Sequence, residues 1–431
     1  MTSRRTREAA FLVVPALLAL IGVASVATQT AGEFRLGPVA GVIVGLAVFL
    51  AMNTALRLLA PQADPYLLPL VATLVAIGLV ELHRISPGLA RTQLIWVVVG
   101  GVVFVAVLAL LRDYRVLEDY TYLIGLSAVL LLVLTMVFGQ ERYGAKLWIP
   151  IGGGQSIQPG EFAKVLLVIF LASYLRDRRE VLAIPTSRFL GMPFPAMRHI
   201  GPVILFVGAA LLTVVVLNDF GTALLFVAIL LAMLYVATGR LAYPVTGLAM
   251  FVVGSVLVYA SVPRIRVRVE SWLQPFSDAQ DTGYQMVQSL YALAEGGVLG
   301  RGFGGSFLVR DNGTTIVPEL RTDFIFSAIG SELGYVGAVA VLLVFLLIIQ
   351  RGFVIAAQAN DGFSKLLAAG LTSVFAVQTF LIVGGIVRVV PLTGVTLPFM
   401  SYGGSSIVTN FAALALLCSI SSQTRLPAGP R

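Results

Sequence analysis

Twelve apolar runs follow one another along this chain, and each is long enough to cross a lipid bilayer as a helix. The hydrocarbon core of a bilayer, ~30 Å thick, needs about 20 apolar residues in a helix. Backbone groups in lipid must be hydrogen-bonded within the chain, so the runs predict helices. We therefore expect an all-α polytopic membrane protein with about twelve transmembrane helices. The runs lie near 9–29, 38–60, 67–83, 92–111, 120–138, 161–175, 200–217, 220–238, 242–262, 323–349, 366–387 and 404–423.

Charged residues are too few for a water-soluble surface of this size. Only 12% of the 431 residues are charged, whereas a soluble domain has about a quarter. With the N-terminus in the cytoplasm, sixteen of the 29 Lys and Arg fall in cytoplasmic connections and six in the short outer ones. This positive-inside pattern predicts that both termini are cytoplasmic. The net charge of +8 is then an orientation signal, and we expect no nucleic-acid partner.

The residues that commonly bind metals and cofactors are scarce. The single cysteine, Cys418, lies in an apolar run, which excludes an intrachain disulfide and a thiolate-rich metal site. His83 and His199 are far apart and are interpreted as interfacial histidines. The run 300–305 loosely resembles a phosphate-binding loop, but no strand precedes it and it is expected to face outward. The sequence specifies no cofactor and leaves a divalent cation open.

The first of three unusual outward stretches, 144–164, joins a glycine-rich connection to the start of a helix. Trp148 suits the headgroup level, and Pro159 and Glu161 suit the first turn of the helix. Lys164 follows Glu161 by three residues on the same helical face. A lysine at membrane depth marks either a functional site or a buried pair with Glu161. Lys146 is either a phosphate contact or a solvated loop charge.

The other two stretches are 263–322 and 391–406. The first carries six basic and six acidic residues, a balance that argues against a nonspecific anionic-lipid patch. Its segment 272–289 mixes carboxylates, amides and aromatics, which suits either a sugar or a solvated surface. The second contains prolines and glycines that disfavour a regular helix. Irregular backbone near membrane depth is tolerated only inside protein or along a cavity. Asp219 adds an acid near the same surface.

In this order and on this side of the membrane, these stretches resemble the SEDS family (shape, elongation, division and sporulation). Its members are membrane-embedded peptidoglycan polymerases, and the likeness is greatest to their actinobacterial RodA branch. Three departures stand out: Lys146 precedes the usual arginine position by one, Asn218 replaces a proline, and Gly160 replaces a serine. The resemblance is carried by residues 144–164, 218–222, 283–289, 318–334 and 397–406.

The resemblance implies a ten-helix glycosyltransferase core over 67–423, with the long extracytoplasmic loop at 263–322. A two-helix addition at 1–66 would precede the core and a short cytoplasmic tail at 424–431 would follow it. The implied reaction is inverting glycan polymerisation from lipid II in the cell membrane, with release of undecaprenyl pyrophosphate, during cell-wall elongation. The implied partner is a class B penicillin-binding protein. A lipid II flippase and a noncatalytic scaffold for a transpeptidase remain as alternatives.

By the same resemblance, Asp278 is the expected catalytic carboxylate, and Asp281 is its rival. Lys146, Lys164 or an arginine of the outer loop would hold the pyrophosphate, and the sequence does not choose among them. The residues expected to contact substrate are Lys146, Trp148, Glu161, Lys164, Asp219, Gln285, Gln288, Ser289, Glu319, Asp323 and Ser401.

Overall fold

The computed structural model of the chain describes residues 2–30, 36–142, 144–183, 187–189, 192–194, 197–310 and 313–425. Fifteen α-helices and five short strands occur within these ranges. The helices are α1 Thr2–Phe11, α2 Val13–Thr30, α3 Leu36–Leu59, α4 Leu67–Ile85, α5 Pro87–Leu110, α6 Thr121–Phe138, α7 Pro159–Ala183, α8 Met197–Val216, α9 Phe220–Thr238, α10 Ala242–Ser261, α11 Pro263–Leu273, α12 Tyr284–Gly296, α13 Ile325–Gln358, α14 Gly362–Ile386 and α15 Gly404–Thr424. The strands are β1 Gln140–Arg142, β2 Ala145–Gly152, β3 Gln155–Ile157, β4 Ser187–Phe189 and β5 Met192–Phe194.

A helix occupies each of the twelve predicted runs, which confirms an all-α polytopic membrane fold. Eleven helices in the described part of the chain are long and apolar enough to span a membrane. The remaining run lies in α7, whose Glu161, Lys164 and later charges make it less apolar than the others. The boundary at 218–219 is a true one, because Asn218 adopts a positive φ of 61° and Asp219 begins α9 as its N-cap.

The polar stretches that the sequence predicts to face outward contain more regular structure than their composition indicated. Strands β1, β2 and β3 form an antiparallel sheet in the order β1-β2-β3, between α6 and α7. The stretch 263–322 contains α11, a 3₁₀ turn at Pro275–Asp278, and α12. Helix α13 is interrupted at Gly334, where the backbone has φ 68° and ψ −170°. Within the stretch 391–406, residues 391–403 form no regular helix, as their prolines and glycines predicted, whereas residues 404–406 begin α15. The irregular segment as a whole is 387–403.

The chain divides into two compact units. The first comprises Met1–Leu110, Pro263–Arg351 and Gln378–Arg425. Its centre is α15, which is buried along almost its whole length and packs along α5. A second layer of contacts joins α2 to α4, where Ala19, Val23 and Val26 pack against Val80. The polar segments 263–322 and 387–403, which follow α10 and α14, belong to the same unit as this helical core.

One connection in the first unit gathers arginines from distant parts of the chain. We call residues 60–64, between α3 and α4, the 60–64 loop. The Arg5 guanidinium donates to the carbonyls of Ala60 and Ala63. The buried Asp64 carboxylate accepts from Arg351 Nε at 3.0 Å and from Arg425 Nη2 at 3.1 Å. Because Arg5 hydrogen-bonds its carbonyls and Arg425 helps to neutralise its carboxylate, the loop ties α1 and the end of α15 to the same place.

The second unit comprises mainly Leu111–Val262 and Gly352–Val377. Helix α7 lies at its centre and packs against α6, α8 and α9. The interior is apolar, with Leu132, Leu167, Val214 and Phe226 in one buried cluster. Strand β2 contacts α6 and α7, so the sheet is attached to the same end of the unit as the first turn of α7.

Candidate active site

The predicted site residues fall into two groups, one in each unit, and each group is described by itself. The first unit holds the catalytic candidate Asp278 with Gln285, Gln288, Ser289, Glu319, Asp323 and Ser401. The second unit holds Lys146, Trp148, Glu161, Lys164 and Asp219.

Asp278 ends the 3₁₀ turn after α11 and presents its carboxylate to solvent. Its Oδ2 accepts hydrogen bonds from Thr282 Oγ1 at 2.8 Å and from Thr282 N at 3.2 Å. The backbone N–H of Asp281 adds a further hydrogen bond. These donors stabilise the ionised form and hold the pKa of Asp278 below its usual value. The group is therefore a carboxylate at neutral pH, ready to accept a proton.

The turn that carries Asp278 depends on glycine at position 283. The Asp278 carbonyl accepts from Gly283 N at 2.9 Å. A Cβ on residue 283 would lie 2.0 Å from the Pro275 carbonyl oxygen, so any side chain would open the turn. The rival Asp281 lies in the same turn with an exposed side chain, and it contributes its backbone N–H to Asp278. The turn thus orients the Asp278 carboxylate.

A reciprocal contact attaches the end of α11, just before this turn, to the irregular segment 387–403. Trp272 Nε1 donates to the Arg388 carbonyl at 3.0 Å. In return, Arg388 donates from Nε to the Trp272 carbonyl at 3.0 Å and from Nη2 to the Leu273 carbonyl at 2.8 Å. Its positioning role rests on a contact between residues 116 apart, for which the sequence offers no local signal.

Three predicted residues share one face of α12. Gln285, Gln288 and Ser289 have i, i+3 and i+4 spacing, which places them together on a helix. Their exposure decreases along that face: Gln285 is exposed, Gln288 half-buried and Ser289 buried. Ser289 Oγ lies 2.7 Å from Ser327 Oγ on α13. Ser289 therefore anchors α12, while Gln285 is open to a ligand.

Ser401 joins the irregular segment to the residues before α13. Its buried hydroxyl donates to the Thr322 carbonyl at 2.6 Å and accepts from Leu397 N at 3.0 Å. Gln93 on α5 braces the same turn, because its amide contacts the Ser401 carbonyl and Gly403 N. In this structure the Ser401 hydroxyl is thus engaged with backbone groups.

Glu319 and Asp323 lie at the turn that Ser401 holds. Glu319 has a positive φ of 52°, and its carboxylate accepts from Thr322 Oγ1 at 3.2 Å and lies 3.8 Å from Arg321 Nε. Asp323 is half-buried, and its Oδ2 is 3.6 Å from where a Cβ would stand on Gly394. Two carboxylates and an exposed arginine are therefore presented by one short turn.

A buried charge network that sequence reasoning missed lies beneath the glycine-rich loop 300–306. Glu332 on α13 accepts from Arg84 Nε at 2.8 Å, Ser306 Oγ at 2.9 Å and Gly304 N at 2.9 Å. Arg84 also donates to the Ser306 carbonyl at 2.6 Å. The glycines of this loop therefore wrap a carboxylate of the protein itself. Arg84 lies in the last turn of the apolar helix α4, and Glu332 lies near the start of the apolar helix α13. A charged residue within an apolar run is a sequence signal that could have identified both.

Glu81, one turn before Arg84 on α4, is fully buried in the same region. Neither of its carboxylate oxygens has a hydrogen-bond partner among the described residues. Its charged neighbours are Glu332 and Arg84. Two carboxylates thus share one arginine in the apolar interior.

In the second unit, Lys164 and Glu161 form the buried pair considered from the sequence. Lys164 Nζ donates to Glu161 Oε2 at 2.6 Å, and the lysine side chain is only 2% exposed. Helix α7 begins at Pro159, and Glu161 lies in its first turn, as predicted. The carboxylate therefore meets both the lysine and the positive end of the helix dipole.

Lys146, Trp148 and Asp219 hold the sheet and the start of α9. Lys146 Nζ donates to the Met136 carbonyl at 2.6 Å, in the last turn of α6, where a cation is favourable. Trp148 is half-buried on β2 opposite Gln140. Asp219 caps α9 by accepting from Thr222 N at 3.0 Å and Thr222 Oγ1 at 2.6 Å. The side chains of Lys146 and Asp219 thus each have a local structural partner.

Metal ligands are sparse in both groups. Across the residues that the structure describes, no cluster of three or more His, Cys, Asp and Glu side chains could hold a metal ion. A divalent cation at Asp278 would need ligand oxygens from the substrate, such as phosphate oxygens, which is how Mg²⁺ is commonly bound.

Comparison with known families gives one match over most of the chain. The family model described as "Cell cycle protein", which covers FtsW, RodA and SpoVE, matches residues 66–426. Peptidoglycan glycosyltransferase RodA of Mycobacterium tuberculosis H37Rv is 40% identical over 397 residues, covering 89% of this chain and 83% of the relative. RodA of Mycobacterium leprae is 37% identical over 438 residues, covering 99% and 92% respectively. Stage V sporulation protein E of Bacillus subtilis is 33% identical and covers 78% and 87%.

Solved structures give the same fold. A chain from a peptidoglycan synthase complex, solved to explain the structural coordination of polymerization and crosslinking, aligns with a TM-score of 0.69 at 26% identity, covering 85% of this chain and 99% of that chain. The crystal structure of Thermus thermophilus rod shape determining protein RodA aligns with a TM-score of 0.60 at 24% identity, covering 85% and 98%. That second likeness concerns the fold alone.

Proposed function

The chain belongs to the FtsW, RodA and SpoVE family of cell cycle proteins, and on this premise we propose that it is a peptidoglycan glycosyltransferase of cell-wall elongation. It would polymerise glycan strands from lipid II at the outer face of a bacterial cell membrane. The observation that carries the proposal is the exposed Asp278 carboxylate, oriented by Thr282 at the position where the family motif has its essential acid.

The reaction that fits this carboxylate is an inverting displacement. The 4-hydroxyl of one GlcNAc forms a bond to C1 of a MurNAc, and the bond from C1 to the pyrophosphate oxygen breaks. The bonding electrons leave with undecaprenyl pyrophosphate, and Asp278 accepts the hydroxyl proton. A general base contributes about 10²–10⁴-fold to such a step. One base is sufficient because inversion involves no covalent glycosyl-enzyme intermediate.

The contacts of Asp278 suggest how its basicity is adjusted. Thr282 holds its pKa low, which ensures ionisation but weakens it as a base. An incoming sugar hydroxyl would replace the Thr282 hydroxyl as donor to Oδ2. The proton to be transferred would then lie in the hydrogen bond that the carboxylate accepts, while Thr282 N continues to orient Oδ2. The exposed Gln285 amide, on the helix that follows the same turn, would bind sugar hydroxyls.

Positive charge for the leaving pyrophosphate would come from Lys146, Lys164 or an arginine of the outer loop. Lys146 Nζ already donates a hydrogen bond to the Met136 carbonyl, and Lys164 Nζ donates one to the Glu161 carboxylate. Arg321 is the outer-loop arginine beside the predicted contacts Glu319 and Asp323. Its side chain is 41% exposed, so its guanidinium is accessible to a phosphate.

The orientation and the partner belong to the same proposal. Both termini would be cytoplasmic, by the basic-residue bias, and the turn of Asp278 would then face outward. There the acceptor strand, the donor lipid and a class B penicillin-binding protein could meet. The aligned peptidoglycan synthase complex, in which polymerization and crosslinking are coordinated, supports a transpeptidase partner.

The test uses the purified full-length chain, labelled lipid II, and a gel that resolves glycan length. Asp278→Asn should lower polymer formation by about 10²–10⁴-fold, the usual contribution of a general base. Asp281→Asn is the matched control in the same turn and should retain activity. Both assays are repeated with a class B penicillin-binding protein. Normal polymer from Asp278→Asn would refute the assignment, and lipid II transfer across vesicles without polymer would favour a flippase.

A further inference from the structure

An apolar groove lies among the first helices of the first unit, and none of its lining residues is assigned to the glycosyltransferase site. It is lined by α2, α3, α4 and α5 and encloses a cavity of about 130 Å³. Apart from His83 and Arg91, the side chains that line it are apolar or the residue is glycine. The groove therefore lies within membrane-spanning helices and has the lining of a site for a hydrocarbon.

A glycine series on α3 forms one wall of this groove. Gly37, Gly41 and Gly45 recur every four residues and line the cavity. Such spacing normally lets two helices pack closely. Here, however, a Cβ on Gly37 or Gly45 would meet no atom within 4 Å, and one on Gly41 would meet only Leu94 at 3.7 Å. The glycines thus face open space between the helices.

The dimensions of the groove match one leaflet. From Ala72 to His83, both of which line it, α4 rises about 16 Å at roughly 1.5 Å per residue. Half of a hydrocarbon core of ~30 Å is about 15 Å. A transmembrane helix is about 10 Å wide with its side chains, so it does not enter a cavity of this volume. The cavity is also smaller than a whole acyl chain, so a hydrocarbon chain from one leaflet fills it with part of its length and lies along the open side of the groove with the rest.

The two polar lining residues lie together at one end of the groove. His83 is in the last turn of α4 and Arg91 in the second turn of α5, so both lie at headgroup level. Both side chains line the same cavity, so they lie near each other. Arg91 is exposed and makes no hydrogen bond or ion pair with any described residue. A cation above an apolar groove complements a lipid with an anionic phosphate headgroup.

We infer that this groove binds one acyl chain of an anionic phospholipid, with the lipid phosphate on Arg91. The lipid comes from the leaflet at which α4 ends and α5 begins. The bound chain fills the space between α3 and α4. The site is distinct from the proposed glycosyltransferase site, and binding there is measured without any activity.

The experiment is photolabelling of the full-length protein in nanodiscs of phosphatidylcholine containing a few per cent of phosphatidylglycerol with a diazirine in one acyl chain. Peptide mapping should find the label on residues 37–49 of α3 and 72–83 of α4. Gly41→Leu places a side chain in the cavity and should lose this labelling. Gly254→Leu on α10 is the matched control, because a Cβ there also meets no atom within 4 Å, and it should retain it.

The headgroup is tested separately. Phosphatidylcholine with the same diazirine chain should label α3 and α4 less than phosphatidylglycerol does. Arg91→Gln should lower this preference for phosphatidylglycerol about fivefold, which is the effect of one basic side chain near an anionic surface. Arg310→Gln, at an exposed position in the glycine-rich stretch, should not change it. Equal labelling by the two lipids, unchanged labelling of Gly41→Leu, or a copurified transmembrane segment crosslinked to α3 in place of lipid would each overturn the inference.

Discussion

Removing Arg84 should destabilise the protein more than removing any exposed arginine of the outer loop. The substitution is Arg84→Met, which keeps the length and apolar stem of the side chain. It leaves Glu332, whose side chain is 1% exposed, with two donors in place of three. Glu81 would then lie beside a second buried carboxylate with no cation between them.

The size of the effect follows from burial. Removing one partner of a buried ion pair costs about 3–5 kcal/mol, because the remaining charge is left uncompensated. The matched control is Arg301→Met, whose pair with Glu295 is 3.9 Å long and has a 58% exposed arginine side chain. An exposed pair of this kind contributes about 0–1 kcal/mol. The free energy of unfolding in mixed detergent micelles would be measured for both variants.

A double-mutant cycle checks that the effect comes from the pair. Arg84→Met combined with Glu332→Gln should be less destabilising than the sum of the single changes, because the orphaned charge is removed with its partner. The coupling energy expected for groups in contact is about 0.5–3 kcal/mol. Additive single effects, or an Arg84→Met cost equal to that of Arg301→Met, would refute the argument that this network is a buried ion pair.

Three further predictions follow from single contacts. Glu81→Leu should leave the melting temperature unchanged or raise it, because a buried carboxylate without hydrogen-bond partners stabilises nothing; a fall of several degrees would mean that Glu81 has a partner. Thr282→Val should raise the pKa of Asp278 towards its usual value. In a pH–rate profile, the acid-side loss of polymerisation should therefore begin at a higher pH than in the wild type. An unshifted acid limb would show that Thr282 does not control the pKa of the base. Gly283→Ala should lower polymer formation at least about tenfold, since even a 1 Å displacement near a reacting group is costly; Gly201→Ala, where a Cβ meets nothing within 4 Å, is its control.

The membrane helices could be predicted because their signal is local. Each apolar run is a continuous stretch whose length reports a membrane crossing, and even the two-residue interruption at 218–219 marked a true boundary. The first turn of α7 was equally readable, since Pro159 and Glu161 each have a strong positional preference. The Glu161–Lys164 pair followed from helical spacing alone.

The contacts that hold the candidate site together could not be read in this way. Arg84 and Glu332 are 248 residues apart, and their pairing depends on how the helices pack. The sheet β1-β2-β3 was missed because its strands are short and joined by glycine-containing connections, with no sustained alternation of apolar residues. The helices α11 and α12 lay in a stretch whose polar composition resembled that of an ordinary loop. The resemblance to the family pointed to Asp278 as the catalytic carboxylate. The contact of Thr282 with Asp278 could be seen only in the structure.

The 60–64 loop has a consequence for how the chain is made. Asp64 leaves the ribosome 361 residues before Arg425, one of its two arginine partners. At about 5–20 residues per second, that interval lasts roughly 20–70 seconds. Throughout it the carboxylate lacks at least one of its two arginine partners, so its full neutralisation waits for the end of α15. The turn between α3 and α4 is thus among the earliest parts to be translated, and it is among the latest to complete its contacts.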